Sequence, residues 1–125
     1  MKKISIHQPE HLPWLGFLHK VMSVDEFVLL DNVQFEKDYF QNRNKIKTNE
    51  GWQWVTLPVK KIKHEQKINE IKISYDQNWQ HRNLEIIKNN YIKAKYFSQY
   101  FQDFKEIYQS KFNLLRDFNI ALIKF

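Results

Sequence analysis

The spacing of apolar residues at the start of the chain predicts a strand, a helix and a second strand. Residues 3–7 form a short β-branched run, and residues 26–30 are mostly apolar, as in a buried strand. Between these runs, apolar residues recur at helical spacing, at Trp14, Phe17, Leu18 and Val21. Two strands joined through a helix make a βαβ unit, so we expect parallel strands and a right-handed crossover.

From Asn42 onward the pattern changes to alternation, which predicts a β-hairpin. Its first strand has two different faces, one formed by Arg43, Lys45 and Lys47 and the other by Asn44, Ile46 and Thr48. Residues 52–59 return as the second strand, and Gly51 falls in the turn, where a positive φ is needed. Residues 60–67 predict a basic loop, and residues 68–74 a further strand or strand-like edge.

The chain after Asn78 has a helical pattern with three apolar stripes. The stripes contain Leu84, Ile87 and Tyr91, then Phe97, Phe101, Phe104 and Tyr108, and finally Leu115, Phe118, Leu122 and Phe125. Asn113 is a favourable N-cap for the last helix. Because the last stripe continues to the final residue, we expect the chain to be the N-terminal part of a longer protein. A missing C-terminal half or an oligomer partner would then pack on the last helix.

These elements predict a single α/β domain over residues 1–125, truncated at its C-terminus. An N-terminal βαβ unit with a mixed sheet and hairpin forms an α/β part, residues 1–76, which we expect to carry the functional site. Residues 77–125 form a C-terminal helical segment. A chain of 125 residues is long enough for one hydrophobic core and too short for two.

Composition excludes several kinds of site. The chain has no cysteine, which rules out disulfides, thiolate nucleophiles and cysteine-ligated zinc. Its two glycines, Gly16 and Gly51, are too few for a P-loop or a dinucleotide-binding turn. No apolar run approaches the roughly 18 residues that cross a membrane, so we expect a cytoplasmic protein. The net charge of +6 favours an anionic ligand, although a composition rich in Lys, Asn and Ile also produces it.

Two residues follow the predicted parallel strands and are predicted to be catalytic. His7 and Asp31 should lie at the carboxyl edge of the sheet, where α/β proteins bind ligands. His7 suits a general base or a donor to a phosphate oxygen; its alternative is a hydrogen-bonded structural histidine. Asp31 suits orienting His7, binding a sugar hydroxyl or holding magnesium; its alternative is a turn cap. A metal site at His7 and His11 is disfavoured, since Pro9 interrupts the helical geometry that this spacing needs.

Polar and aromatic residues near these positions are predicted to bind the substrate. Arg43 and Lys45 are the best candidates for an anion, because they share a face and guanidinium offers a bidentate fork. A solvated basic edge strand is the alternative. The tryptophans are suited to stack on a base or sugar ring, but aromatic residues in a small domain more often form the core. The predicted substrate-binding residues are Gln8, Trp14, Gln34, Lys37, Asn42, Arg43, Asn44 and Lys45.

Many short motifs in this chain occur in the order typical of one family. They are His7-Gln8-Pro9, Leu12-Pro13-Trp14-Leu15-Gly16, Asp25, Phe27-Val28, Asp31, Val33-Gln34, Lys37, Asn42-Arg43-Asn44, Lys47-Thr48, Gly51 and Leu57-Pro58-Val59. With them the chain resembles the WbqC-like protein family, whose members are usually longer and often have an aromatic residue where this chain has His11. The resemblance implies a context, the synthesis of O-antigen and other bacterial surface polysaccharides.

This context and the residues above favour an enzyme that transfers an acyl or aminoacyl group on a nucleotide-linked sugar. Group transfer is preferred because it needs no glycine-rich phosphate loop and works by positioning and a general base. The alternatives are a nucleotidylyltransferase-like enzyme, a non-catalytic module that binds a nucleotide-linked sugar, and a basic nucleic-acid-binding domain. The expected partner is an anionic small molecule rather than nucleic acid or a membrane. The cofactor stays open, with magnesium expected only if the substrate is a nucleotide.

Overall fold

The computed structural model describes the whole chain, residues 1–125, and confirms the predicted α/β class. The strands are β1 (Ile4–His7), β2 (Glu26–Leu29), β3 (Arg43–Thr48) and β4 (Gly51–Thr56). The helices are α1 (Leu15–Met22), α2 (Trp79–Tyr91), α3 (Phe97–Gln109) and α4 (Leu115–Lys124), with a short 3₁₀ helix at Ile68–Glu70. β1 pairs with β2 in one sheet, and β3 pairs with β4 in another. No helix is both long enough and apolar enough to cross a membrane.

The first unit is the predicted βαβ arrangement. β1 and β2 are parallel, and the backbone N–H of Leu30 donates to the His7 carbonyl at 2.8 Å. α1 covers one face of the pair, where the buried ring of Phe17 packs edge-on against the rings of His7 and Phe27. The opposite face is exposed, so β2 is half buried rather than buried as predicted. The side chain of His7 therefore lies on the covered face, at the carboxyl end of β1.

The second sheet is the predicted hairpin. β3 and β4 are antiparallel along their whole length, and Gly51, the first residue of β4 after the turn, has a φ of +134°. The predicted alternation is confirmed, since Asn44 and Ile46 are buried while Lys45 and Lys47 are exposed. The hairpin therefore presents a basic outer face to solvent.

The hydrophobic core lies between the segment that follows β4 and the three C-terminal helices. At its centre Trp79 is fully buried, and its indole N–H donates to the Ser74 carbonyl at 2.9 Å. The prediction that the tryptophans mainly form the core is wrong for Trp14 and Trp52, which are exposed. The core residues are Phe35, Leu57, Ile68, Ile71, Ile73, Trp79, Leu84, Tyr108, Leu115, Phe118 and Leu122.

Residues 68–74 are strand-like only in their second half. After the 3₁₀ helix, Lys72 makes an isolated antiparallel bridge with Leu114, and the Ile73 N–H donates to the Asn113 carbonyl at 3.0 Å. This pairing holds Leu114 in an extended conformation immediately before α4. The prediction of Asn113 as the N-cap is therefore wrong, because its backbone is paired with the neighbouring segment.

Candidate functional site

The turn after β1 places His7 beside Glu10. The His7 Nδ1–H donates to the Gln8 carbonyl at 2.9 Å, and Nε2 lies 3.8 Å from Oε1 of Glu10. A carbonyl only accepts hydrogen bonds, so Nδ1 carries a proton and Nε2 is the atom that gains or loses one. About a third of the His7 side chain, 31%, is exposed, so a ligand can reach the ring.

Glu10 is nearly buried, with 7% of its surface exposed, and its Oε2 has no hydrogen-bond partner. Burial raises the pKa of Glu10, and the nearby His7 offsets part of that rise. A carboxyl group with a raised pKa next to an imidazole is typical of acid–base sites. Glu10 is not among the residues predicted from the sequence, although its position three residues after His7, across the Pro9 turn, was a usable signal.

Asp31 lies just beyond β2, but its carboxylate is engaged away from the turn after β1. Its Oδ2 accepts a hydrogen bond from Arg116 Nη1 at 3.2 Å, and its Oδ1 accepts one from Asn69 Nδ2 at 3.4 Å. Neither a hydrogen bond nor an ion pair joins Asp31 to His7. The carboxyl group that faces His7 is that of Glu10, while Asp31 links the end of β2 to α4 and the 3₁₀ helix.

Gln8 connects the turn after β1 to the loop before β3. Its Oε1 accepts a hydrogen bond from Gln41 Nε2 at 2.6 Å, and Gln41 Oε1 accepts one from the Glu36 N–H at 2.9 Å. The backbone N–H of His11 also donates to the Phe40 carbonyl at 2.9 Å. These bonds hold the turn against the start of β3, so the structure brings the histidine turn and the basic hairpin into one region.

The hairpin's outer face combines cations with tryptophan rings. The guanidinium carbon of Arg43 lies 4.2 Å from the ring centroid of Trp54. The Lys45 ammonium lies 3.7 Å from the Trp52 centroid and 5.1 Å from that of Trp54. These cation–ring pairs were not predicted from the sequence, although the antiparallel register places Lys45 directly opposite Trp54. The arrangement can attract an anion and offer an aromatic ring for stacking.

Asn42 and Asn44 point the other way, into the protein. Asn42 Nδ2 donates to the Leu57 carbonyl at 3.2 Å, and Asn44 Nδ2 donates to the Leu12 carbonyl at 2.8 Å. Both side chains are buried, and their amide groups replace backbone partners that the irregular segments lack. Substrate binding by these two asparagines stays a prediction, and their geometry is that of structural bonds.

Trp14, Gln34 and Lys37 occupy separate exposed positions. The ring of Trp14 packs over Gly16, where an added Cβ would meet it at 2.1 Å. It borders an apolar cleft of about 510 Å³ between the start of α1, β3 and the C-terminal helices. Gln34 makes an isolated bridge with Lys67, and Lys37 borders a shallow depression beside the basic loop. No side-chain hydrogen bond joins these three residues to the turn after β1.

His11 is fully buried in a chain of polar groups inside the core. Asn119 Nδ2 donates to the Gln41 carbonyl at 2.8 Å, so its Oδ1 accepts from His11 Nδ1–H at 3.2 Å. His11 Nε2 then accepts from the Tyr108 hydroxyl at 3.3 Å, and that hydroxyl accepts from Asn83 Nδ2 at 3.1 Å. Each donor meets an acceptor only when the imidazole is neutral. The structure contains no group of three or more histidine and carboxylate side chains placed to hold a metal ion.

Comparison with known proteins identifies the family. The chain is 38% identical over 100 residues to uncharacterized protein Rv1507c of Mycobacterium tuberculosis, an alignment that covers 79% of this chain and 43% of that protein. The chain thus spans less than half the length of this relative. No solved structure matches it. The sequence profile of the WbqC-like protein family matches residues 8–125, and we conclude that the chain belongs to the WbqC-like protein family.

Proposed function

We propose that this protein catalyses group transfer, of an acyl or aminoacyl group, on a nucleotide-linked sugar in the cytoplasmic synthesis of O-antigen or another surface polysaccharide. The observation that carries the proposal is the His7–Glu10 pair, with 3.8 Å between Nε2 and Oε1, at the carboxyl edge of a parallel strand pair. Family membership supports the polysaccharide context.

In this proposal His7 acts as the general base. Its Nδ1–H is held by the Gln8 carbonyl, so Nε2 is free to take a proton from the acceptor amine or hydroxyl as that atom attacks the donor carbonyl. The Glu10 carboxylate stabilises the imidazolium that forms. The bond between carbonyl and leaving group then breaks, and the imidazolium returns its proton to the leaving group. One proton moves out and back, so the pair ends the cycle as it began.

Two further features support a nucleotide-linked sugar as the substrate. Arg43 and Lys45 supply positive charge on the outer face of the hairpin, as an anionic diphosphate requires. The hydrogen bond between Gln8 and Gln41 connects that hairpin to the turn that carries the proposed base. In this proposal the phosphates are held at Arg43 and Lys45 while the group to be transferred is held at the turn, because positioning lowers the barrier to transfer.

The proposal is tested by His7→Gln in the protein at its natural length, expressed in a host that makes the surface polysaccharide. Loss of a general base predicts a roughly 100- to 10,000-fold lower rate, so the transferred group should disappear from the glycan when it is analysed by mass spectrometry. His19→Gln, at an exposed histidine of α1, is the matched control and should leave the glycan unchanged. Circular dichroism should show that both variants are folded. A normal glycan from folded His7→Gln protein would overturn the proposal.

A further inference from the structure

We infer that the outer face of the β3–β4 hairpin binds the nucleoside diphosphate part of the substrate. The base would stack on Trp52, and the phosphates would lie against Lys45 and Arg43. This inference rests on the proposed function, which it deepens by naming the group that the hairpin recognises and the residue that reads its ring.

The first argument is the exposure of Trp52. This residue keeps 57% of its surface exposed, whereas an indole in a small domain is ordinarily buried. Trp54 stands edge-to-face against it at 5.8 Å and is itself only partly exposed, so it supports the outer ring. An indole that is supported by a second ring and faces solvent is the kind of surface on which a nucleobase stacks.

Second, positive charge lies next to that ring. The Lys45 ammonium makes no hydrogen bond or ion pair within the chain, and it lies 3.7 Å from the Trp52 centroid. Arg43 makes one long ion pair, with 4.0 Å between its Nη1 and Oδ1 of Asp38, and its Nε is buried. An unpaired ammonium and a guanidinium with a single long ion pair beside one exposed ring match a ligand that has both an aromatic base and a diphosphate.

The third argument is geometric. Antiparallel pairing places Lys45 opposite Trp54 and Lys47 opposite Trp52, so cations and rings alternate on one face of the hairpin. The face is held in place by backbone hydrogen bonds between the strands rather than by a loop. A nucleotide on this face would therefore meet a preorganised surface, which reduces the entropy that binding costs.

The test uses the protein at its natural length and three probes: UDP, GDP and inorganic pyrophosphate. Binding is followed by quenching of tryptophan fluorescence and by calorimetry. Trp52→Ala should weaken UDP and GDP binding roughly 5- to 100-fold and leave pyrophosphate binding unchanged. Trp52→Phe should recover part of the loss, and Lys45→Met should weaken all three probes. Tyr96→Ala removes an aromatic ring of equal exposure, 57%, outside the hairpin and should change nothing.

Several results would overturn the inference. They are the absence of saturable nucleotide binding below about 1 mM, equal losses for Trp52→Ala and Tyr96→Ala, and tighter binding of single-stranded oligonucleotides as their length increases. The last result would assign the face to nucleic acid instead. Nucleotide binding without any group transfer would remove the proposed function alone, whereas transfer that is insensitive to Trp52→Ala would remove this inference alone.

Discussion

Mild acid should destabilise this protein through His11. Burial lowers the pKa of His11 from 6.5 to about 4, and the bond to Asn119 offsets only part of that effect. A proton added at Nε2 would face the Tyr108 hydroxyl, whose hydrogen already points at that nitrogen. The hydroxyl cannot simply reverse, because its oxygen side accepts from Asn83. Protonation therefore breaks a buried hydrogen bond and places a charge in the core.

The magnitude follows from the difference in proton binding between the two states. The unfolded chain binds a proton at His11 near pH 6.5, and the folded chain only near pH 4. Between these values the unfolded state holds more protons at His11. The stability that neutral His11 contributes is therefore fully present above pH 6.5 and is lost as the pH falls. The free energy of unfolding should decrease by about 2 kcal/mol at pH 5 and about 3 kcal/mol at pH 4.

The assay is urea unfolding of the wild type and His11→Gln at pH 7, 5 and 4, followed by tryptophan fluorescence. Glutamine can donate to Asn119 but does not titrate, so the variant should lack this pH dependence. The titration of carboxyl groups elsewhere is common to both proteins and cancels in the difference. His64→Gln, at an exposed side chain, is the control and should follow the wild type.

Two results would refute this reasoning. One is a parallel loss of stability in the wild type and His11→Gln between pH 7 and pH 4. The other is an NMR titration of the folded wild type in which the His11 ring changes near pH 6.5 rather than near pH 4. The NMR measurement needs no variant, so it decides the matter even if His11→Gln folds poorly.

Two further predictions concern Glu10 and Gly51. Glu10→Gln should raise the free energy of unfolding at pH 7 while it lowers the proposed transfer rate roughly 100-fold. Because the pKa of Glu10 is raised, its charged form destabilises the folded wild type increasingly as the pH rises. The stability gained by Glu10→Gln, measured by urea unfolding, should therefore shrink towards acid pH. A gain that is independent of pH would contradict this prediction. Gly51→Ala should lower the free energy of unfolding by about 1 kcal/mol, because a φ of +134° strains any side chain at this position. The loss should appear as a lower Tm, and an unchanged Tm would contradict the prediction.

The secondary structure was largely predictable because it depends on neighbouring residues. The apolar spacing before and after α1 predicted the parallel strand pair, and the alternation from Arg43 to Thr48 correctly separated exposed lysines from buried residues. Burial was less predictable. β2 looks like a fully buried strand, but only α1 packs on the pair, and no periodicity reports how many layers cover a sheet.

The candidate site was predictable in location but not in its partners. The predicted strands correctly placed His7 at the carboxyl end of β1 and Asp31 just beyond that of β2, but the carboxyl group beside His7 belongs to Glu10. Turn geometry decides that contact, because the chain must reverse at Pro9 for Glu10 to fold back. Trp52 likewise looked like a core residue until the hairpin register placed it on the outer face.

The sequence by itself determined the order of elements, the inward and outward faces of β3 and the residues available for chemistry. These properties follow from periods of two and 3.6 residues and from side-chain type, which are local. Only the tertiary structure decided which polar groups meet. Asp31 is bound to Arg116, 85 residues away, and His11 to Asn119, 108 residues away. Those contacts form because the C-terminal helices pack on the α/β part, and burial there excludes water, so each polar group must find its partner within the protein.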